Sequence, residues 1–280
     1  MFICRYADNG RRGHGRVDPD ADRVEPVRYD AGARRWVRAP GRVRALSEIV
    51  LLPPAEPGKV VCVALNSAAD PVAAAAIRAH GPAGVPILLK PPNSLAATGD
   101  AVNHPGPGWE LKHEAELAVV IAVPCKRVPA SRAAAVVAGY TCANDLTGYA
   151  TAGPDWPAGR PPVFAKHLDG STPLGPWLVD DLDPRDVAIS CRVDGELRQS
   201  GSTADSIWPV DEVVAHVSSH MTLLPGDVIL TGTPAGSSAL AVGARVEVSI
   251  AGIGTLHTVI DPPSGDLAAG HQERKDRAGL

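Results

Sequence analysis

The chain has 280 residues, of which 45% are hydrophobic, and its formal net charge is −4. These values are typical of a soluble globular protein with a sizeable core. They leave no basic excess for nucleic acid and no apolar run long enough to span a bilayer. The start, MFICRYADNGRRGHG, lacks the apolar centre of a signal peptide. Five scattered cysteines without a CxxC pair favour reduced thiols, no zinc site and a cytoplasmic protein.

The first 55 residues predict a small β-rich N-terminal domain. They contain the short strand patterns MFICRYA, HGRVDP and RVEPVRYD, and they end at the proline-rich stretch LLPPAEPGK. We expect a catalytic domain over residues 56–264. The polar tail, residues 265–280, is predicted to be disordered.

Strands also dominate the second domain. The continuous apolar run VVCVALN is typical of a buried strand, and further strands are predicted in VPILLKPP, ELAVVIAV, WLVDD, AISCRVDGELRQSG, DVILTGTPAG and ARVEVSIAGIGTLHTVI. Within them, VDGEL has the residue types of a tight hairpin turn. Helices are predicted in PVAAAAIRAH, with Pro71 in its first turn, in PASRAAAVVAGYTCAND, which Gly139 should end before a strand, and in PVDEVVAHVSSHMTLLPGD. The fold class is therefore mixed and mainly β, with few helices.

Two glutamates lie at the start of the apolar strand predicted in KHEAELAVVIAV. Glu114 and Glu116 are two residues apart, so they face the same side of an extended strand, where like charges repel by several kcal/mol when partly buried. One interpretation is an exposed strand start that happens to be acidic. The other is a cation site, which Asp145 in CANDLTGY would complete. Three carboxylates without a histidine or cysteine partner suit Mg²⁺ or Mn²⁺.

Seven segments, in this order, are similar to the fumarylacetoacetate hydrolase family over roughly residues 58–262: KVVCVALN, LLKPPNSL, HEAELAVVI, VAGYTCANDLT, FAKHLDGSTPLGPW, DGELRQSGST and LLPGDVILTGTPAG. The resemblance implies a β-sandwich roll preceded by a small N-terminal domain, and a homodimer. It also implies that Glu114, Glu116 and Asp145 hold a divalent metal ion.

The same resemblance assigns further site residues. Lys166, in FAKHLDG, matches the family's active-site lysine and is the first catalytic candidate. Gly232 and Thr233, in TGTP, match a turn that faces the substrate. Lys90, in LLKPPNSL, and Tyr149, in NDLTGYA, are the remaining substrate-binding candidates.

The chain departs from the family pattern where relatives keep a water-activating histidine–glutamate pair. After LN, Ser67 takes the place of a tyrosine, Asp70 that of the histidine and Ala73 that of the glutamate. Tyr149 replaces an arginine that helps relatives to hold a substrate carboxylate, and Ala150 replaces an aspartate. The metal residues are thus kept while the dyad is missing.

The identity of the general base stays open on this pattern. Asp70 is the catalytic candidate, although a carboxyl with an ordinary pKa of about 4 is a weak base unless burial raises that value. His80, His104 and His113 are alternatives, each more typical of a surface or hydrogen-bonded histidine.

The implied function is a metal-dependent enzyme whose small-molecule substrate is an enolisable 2-oxo acid or 1,3-dicarbonyl compound. Mg²⁺ or Mn²⁺ chelated by two substrate oxygens would stabilise an enolate. The first interpretation is a C–C bond hydrolase or decarboxylase, and the second is a non-hydrolytic isomerase, hydratase or cyclase. A catalytically silent binding or scaffold protein is the third. No nucleic acid or membrane partner is expected.

Overall fold

The computed structural model of the chain describes residues 1–30, 32–33, 35–67, 71–79, 81, 85–150 and 164–264. Strands dominate this part of the chain, which confirms the predicted mainly β class. The predicted tail, the candidate base Asp70 and the alternative base His80 lie outside the described residues. The division of the chain at residue 55 stays a prediction.

The strands, in chain order, are β1 Phe2–Asp8, β2 Arg11–Asp18, β3 Arg23–Asp30, β4 Arg35–Arg38, β5 Val50–Leu52, β6 Val60–Val63, β7 Ile87–Lys90, β8 Leu95–Ala97, β9 Ala101–Asn103, β10 Trp109–Lys112, β11 Ala115–Ile121, β12 Val137–Asn144, β13 Thr147–Ala150, β14 Thr172–Val179, β15 Ala188–Val193, β16 Glu196–Ser202, β17 Val228–Leu230, β18 Arg245–Ile250 and β19 Gly254–Asp261. The α-helices are α1 Pro71–Ala79 and α2 Val210–His220. Short 3₁₀ helices span Leu46–Glu48, Pro92–Ser94, Ala130–Val136, Phe164–Lys166 and Thr203–Asp205.

These strands form three sheets. The largest has 12 strands, in the order β4-β3-β2-β1-β14-β12-β11-β17-β6-β7, with β5 also paired to β1 and β8 to β14. A second sheet has the order β16-β15-β18-β19-β9, and β10 pairs with β13 alone. Because β1 pairs with β14, the N-terminal strands continue the same sheet as the central strands of the core.

Strand β11 explains how the core is divided. All seven of its residues are buried, and their side chains alternate between the two faces of the large sheet. Leu117, Val119 and Ile121 pack into the main cluster, which also contains apolar residues of the five-stranded sheet and of α2. Ala118 and Val120 pack into the cluster on the opposite face. An unbroken apolar run is therefore needed here, since both faces of the strand are covered.

The predicted hairpin in VDGEL joins β15 to β16. Asp194 and Gly195 both have positive φ, 52° and 82°, as a two-residue turn of the primed type requires. Among the helices in the described residues, none is long and apolar enough to cross a membrane.

The predicted helix ending at Gly139 is wrong in its extent. Only the 3₁₀ helix Ala130–Val136 forms, and Gly139 lies inside β12 with φ +153°. A Cβ added to Gly139 would lie 2.5 Å from the carbonyl oxygen of Val179 in β14. The glycine is required by this close approach between strands, not by a helix terminus.

Candidate metal centre

Three carboxylates meet where β11 begins and β12 ends. These strands pair antiparallel, with Ala115 opposite Asn144. Glu114 and Glu116 flank Ala115, and Asp145 follows Asn144. The backbone N–H of Asp145 donates to the carbonyl of Glu114 (2.8 Å), and the backbone N–H of Glu114 donates to Oδ1 of Asn144 (3.1 Å). Strand pairing therefore holds the three acids together.

The carboxylate oxygens of the three acids lie close together. One oxygen from each of Glu114, Glu116 and Asp145 lies within 4.8 Å of the other two. Glu116 is 3% exposed and Asp145 1%, and the side chain of Glu114 is 13% exposed. The donor set contains only carboxylate oxygens, which Mg²⁺ and Mn²⁺ prefer. These residues could hold one divalent cation.

The pKa of Glu116 is consistent with a cation site. Burial, and then the neighbouring charges of Asp145 and Glu114, raise the pKa of Glu116 well above its usual range. The backbone N–H of Gly232 donates a 2.6 Å hydrogen bond to Oε2 of Glu116 but does not cancel these effects. A divalent cation would favour the ionised carboxylate.

Lys166 lies among the same carboxylates. Its Nζ donates to Oε2 of Glu114 (2.9 Å), to Oδ2 of Asp145 (2.5 Å) and to the hydroxyl of Thr147 (2.6 Å). Burial alone would lower the pKa of Lys166, but Asp145 and Glu114 outweigh it and raise the pKa well above its usual range. Lys166 therefore contributes a positive charge that offsets the negative charges of Asp145 and Glu114.

Lys90 lies on the other side of Asp145. Its Nζ donates to Oδ1 of Asp145 (2.6 Å) and to the carbonyls of Leu146 (3.1 Å) and Ser171 (2.6 Å). Burial alone would raise the pKa of Asp145, but Lys166 and Lys90 hold it down to about 2. The resemblance implied that Lys90 binds substrate. In the structure its fully buried ammonium orients Asp145 and is not part of the cavity lining.

The turn after β17 supports the first residues of β11. The hydroxyl of Thr233 donates to the carbonyl of Ala115 (2.9 Å) and accepts from Nε2 of Gln199 (2.8 Å). Gly232 has φ +100°, and an added Cβ would lie 2.7 Å from Cβ of Asn66. Glycine is required here because any side chain would collide with Asn66.

A cavity of about 300 Å³ opens onto these groups. Tyr149 lies in its wall, with its hydroxyl 3.3 Å from Oε1 of Glu114. Burial, and then Glu114, raise the pKa of Tyr149 to about 12, so the phenol stays protonated. The described lining comprises Cys62, Val63, Ala64, Leu65, Asn66, Ser67, Leu88, Glu114, Glu116, Asp145, Thr147, Tyr149, Lys166, Gly232 and Thr233.

The two alternative bases that the structure describes lie elsewhere. His113 is fully buried, with its ring nitrogens 2.9 Å from Oε1 of Gln199 and 3.0 Å from the hydroxyl of Ser238. His104 accepts a hydrogen bond from the backbone N–H of Gly106 through Nδ1 (3.1 Å). Neither histidine is in the cavity lining.

Sequence reasoning missed two polar residues of the site. Thr147 accepts a hydrogen bond from Lys166, and Asn66, 2% exposed, donates to the carbonyls of Thr231 (2.6 Å) and Trp208 (3.0 Å). The signal for Asn66 was an amide directly after the apolar run VVCVAL. Nothing local identified its partners, which are far along the chain.

Residues 59–261 match the family description "Fumarylacetoacetate (FAA) hydrolase C-terminal". The chain belongs to the fumarylacetoacetate hydrolase family. The match contains every residue of the candidate metal centre, and it confirms the resemblance seen in the seven segments. The strands of the fumarylacetoacetate hydrolase core in this chain therefore run from β6 to β19, while β1–β5 precede the matched segment.

Characterised members of the fumarylacetoacetate hydrolase family are similar to this chain. Mitochondrial oxaloacetate tautomerase FAHD1 of Arabidopsis thaliana is 37% identical over 197 residues, covering 70% of this chain and 87% of that protein. The X-ray structure of 5-carboxymethyl-2-hydroxymuconate delta-isomerase from Mycobacterium smegmatis has a TM-score of 0.81 at 33% identity, covering 94% of this chain and 100% of that one.

A third similar protein was solved with ligands. Maleylpyruvate hydrolase from Sphingobium sp. SYK-6, in complex with manganese(II) ion and pyruvate, has a TM-score of 0.76 at 26% identity. It covers 94% of this chain, and this chain covers 100% of it. The similar proteins thus include an isomerase, a tautomerase and a hydrolase, at 33%, 37% and 26% identity to this chain.

Proposed function

We propose that the protein is a divalent-metal-dependent enzyme that acts on an enolisable 2-oxo acid or 1,3-dicarbonyl compound. The observation that carries the proposal is the carboxylate triad Glu114, Glu116 and Asp145, which lines a cavity together with the ammonium of Lys166. The similar maleylpyruvate hydrolase, solved with manganese(II) and pyruvate, supports a metal ion and a small oxo acid.

Each residue of the site would have a separate role. Glu114, Glu116 and Asp145 would hold Mg²⁺ or Mn²⁺. The bound cation supplies positive charge that stabilises negative charge developing on the oxygens of an oxo acid. The ammonium of Lys166, held by Glu114 and Asp145, would add a second positive charge that is already in place before the reaction. The N–H of Gly232 keeps Glu116 directed at the site.

Among the reactions of this class, the lining favours those that need no activated water. No histidine occurs among the described lining residues, and the three carboxylates there are the ones that would hold the cation. Decarboxylation needs the cation and a proton donor. Keto–enol tautomerisation and isomerisation also need a base that takes a proton from carbon, but they need no activated water. C–C bond hydrolysis needs a base that activates water, for which Asp70 stays the candidate.

A silent scaffold is the less economical alternative. Lys90 and Lys166 pair with Asp145 and Glu114, but among the described residues Glu116, 3% exposed, has no ion-pair partner. A buried carboxylate without a cation opposes folding unless it serves a ligand, and a scaffold that had lost its chemistry would have no use for it.

The test is proton exchange. Wild type with Mg²⁺ in D₂O should incorporate deuterium at C3 of pyruvate, followed by NMR, and should cleave acetylpyruvate slowly, followed by absorbance. Lys166→Met should lower exchange about a hundredfold or more, as the loss of a positioned charge does in other sites. Lys126→Met, at an exposed position, is the matched control and should retain exchange. Wild type without Mg²⁺-dependent exchange or cleavage would contradict the proposal.

A further inference from the structure

The cavity is lined by two chemically different kinds of residue. The acidic residues and Lys166 are one kind. The other comprises the apolar Val63, Leu65 and Leu88 and the aromatic Tyr149. A bound oxo acid has the same two kinds of group, since its carboxylate and oxo oxygens would lie at the charged residues and the rest of the molecule would lie against apolar ones.

The charges of the lining limit what that remaining portion can be. Among the described lining residues Lys166 is the only cation, and its three hydrogens are directed at Glu114, Asp145 and Thr147. Lys112 lies outside the lining, where its Nζ is 5.0 Å from the ring centroid of Tyr149 and 2.8 Å from a carboxylate oxygen of Glu110. A second substrate carboxylate would therefore find no free cation among the described lining residues, and burying a carboxylate without such a partner is strongly unfavourable.

Leu65 is an unusual residue for the mouth of this cavity. Its φ is +58°, a conformation that glycine or asparagine adopts much more readily than leucine, and the residue is 59% exposed. Local strain of this kind persists only where the surrounding structure imposes it.

The next residue imposes this conformation. Besides its bonds to Thr231 and Trp208, Asn66 accepts the backbone N–H of Trp208 at Oδ1 (2.7 Å) and that of Ile207 at its carbonyl (2.8 Å). The backbone at Leu65 is thereby fixed, and an apolar side chain is held at the cavity wall in water. Neither burial nor backbone preference accounts for a leucine here, whereas contact with an apolar ligand group does.

We propose that Leu65, Leu88 and the ring of Tyr149 form a subsite for an uncharged, apolar tail of the substrate. This inference rests on the proposed function, because it takes the other end of the substrate to be a 2-oxo acid at the carboxylate triad. A cavity of about 300 Å³ accommodates on the order of ten non-hydrogen atoms at about 30 Å³ each. The preferred substrate class is therefore 2-oxo monocarboxylic acids with a short aliphatic tail, in preference to dicarboxylic acids.

Three acids test the subsite by calorimetry in the presence of Mg²⁺. Pyruvate has no tail, 5-methyl-2-oxohexanoate has a branched aliphatic tail, and 2-oxoglutarate has a carboxylate where the second acid has an isopropyl group. We expect 5-methyl-2-oxohexanoate to bind at least tenfold more tightly than either of the others. If 2-oxoglutarate binds as tightly as its isopropyl counterpart, the inference is overturned while the proposed function stands. If pyruvate and both longer acids fail to bind, the proposed function fails and the subsite with it.

Two substitutions assign the preference to named residues. Leu65→Gly suits the positive φ, so the fold should persist by circular dichroism, while the preference for the branched acid over pyruvate should fall about tenfold. Leu224→Gly, at an exposed leucine outside the lining, should leave all three affinities unchanged. Tyr149→Arg should shift the preference toward 2-oxoglutarate, whereas Tyr149→Phe should retain it. An unchanged preference in both Leu65→Gly and Tyr149→Arg would refute the subsite.

Discussion

The ammonium of Lys90 lies 2.6 Å from Oδ1 of Asp145, and neither side chain has more than 1% of its surface exposed. Lys90→Met would leave Asp145 with one cation fewer and the carbonyls of Leu146 and Ser171 without their donor. We expect the free energy of unfolding, from urea denaturation, to fall by about 3–5 kcal/mol. Lys112→Met, which removes an ammonium paired with the partly exposed Glu110, should cost no more than about 1 kcal/mol. Similar losses of unfolding free energy in the two variants would show that Lys90 stabilises the fold no more than Lys112 does.

Metal binding should depend on Glu116. Glu116→Gln keeps the shape of the side chain and the acceptor for the N–H of Gly232 but removes a ligand charge, so calorimetry should detect no Mg²⁺ or Mn²⁺ binding. The melting temperature in metal-free buffer should not fall, because a repelling carboxylate is lost. Glu110→Gln, at a partly exposed acid, should bind about one ion per chain like wild type. If Glu116→Gln binds Mg²⁺ or Mn²⁺ with the affinity of wild type, Glu116 is not a metal ligand.

The stability of the protein should decrease as the pH falls below 7, in part through His216. Burial, opposed by the carbonyl of Val85 and assisted by His220, lowers the pKa of His216 in the folded state. The unfolded chain therefore binds this proton more readily, and stability is lost as the pH falls from the unfolded pKa of about 6.5 toward the folded value. His216→Gln should reduce the slope of the unfolding free energy against pH. His257→Gln, at an exposed position, should not, and equal slopes in wild type and His216→Gln would exclude this group.

The missing histidine–glutamate pair should limit hydrolysis more than proton exchange. Asp70→His combined with Ala73→Glu should raise the rate of acetylpyruvate cleavage without raising deuterium uptake by pyruvate, because only cleavage needs an activated water. The two rates are measured on the same preparations by absorbance and NMR. Fast cleavage by wild type that persists in Asp70→Ala would mean that another residue activates the water.

A homodimer is expected in solution. The family resemblance implies it. In addition, the edge strand β7 has an exposed apolar residue, Leu89. The 3₁₀ helix Phe164–Lys166, which begins with the exposed Phe164, packs against β7, so two exposed apolar residues lie in neighbouring elements. Sedimentation equilibrium at micromolar concentration should give twice the chain mass of 29.0 kDa. A mass of one chain would contradict the prediction.

The parts of the site that lie within one strand were predictable from sequence. The run after Glu116 predicted β11, and the two-residue spacing of Glu114 and Glu116 predicted two carboxylates facing the same way. The search for a third acid supplied Asp145, in CANDLTGY, and the family resemblance supplied Lys166. Each of these inferences needed either local periodicity or a recognisable segment.

The supporting contacts were not predictable, because they join distant segments. Lys90 meets Asp145 across 55 positions, and Asn66 meets Thr231 across 165. Gly139 misled for the same reason: its role depends on the carbonyl of Val179 in a strand that only the tertiary fold places beside it. Leu65 gave no signal at all, since its positive φ results from the hydrogen bonds of the neighbouring Asn66.

The pairing of β1 with β14 has a practical consequence for recombinant work. A truncated chain that keeps only residues 59–261 would lose β1, whose Phe2 and Ile3 pair with Val179 and Leu178. The freed edge of β14 would present unpaired N–H and C=O groups beside apolar side chains that β1 normally covers, and such edges recruit other copies of the chain. Expression trials of the trimmed segment should therefore give inclusion bodies or soluble aggregates where the full chain gives dispersed protein.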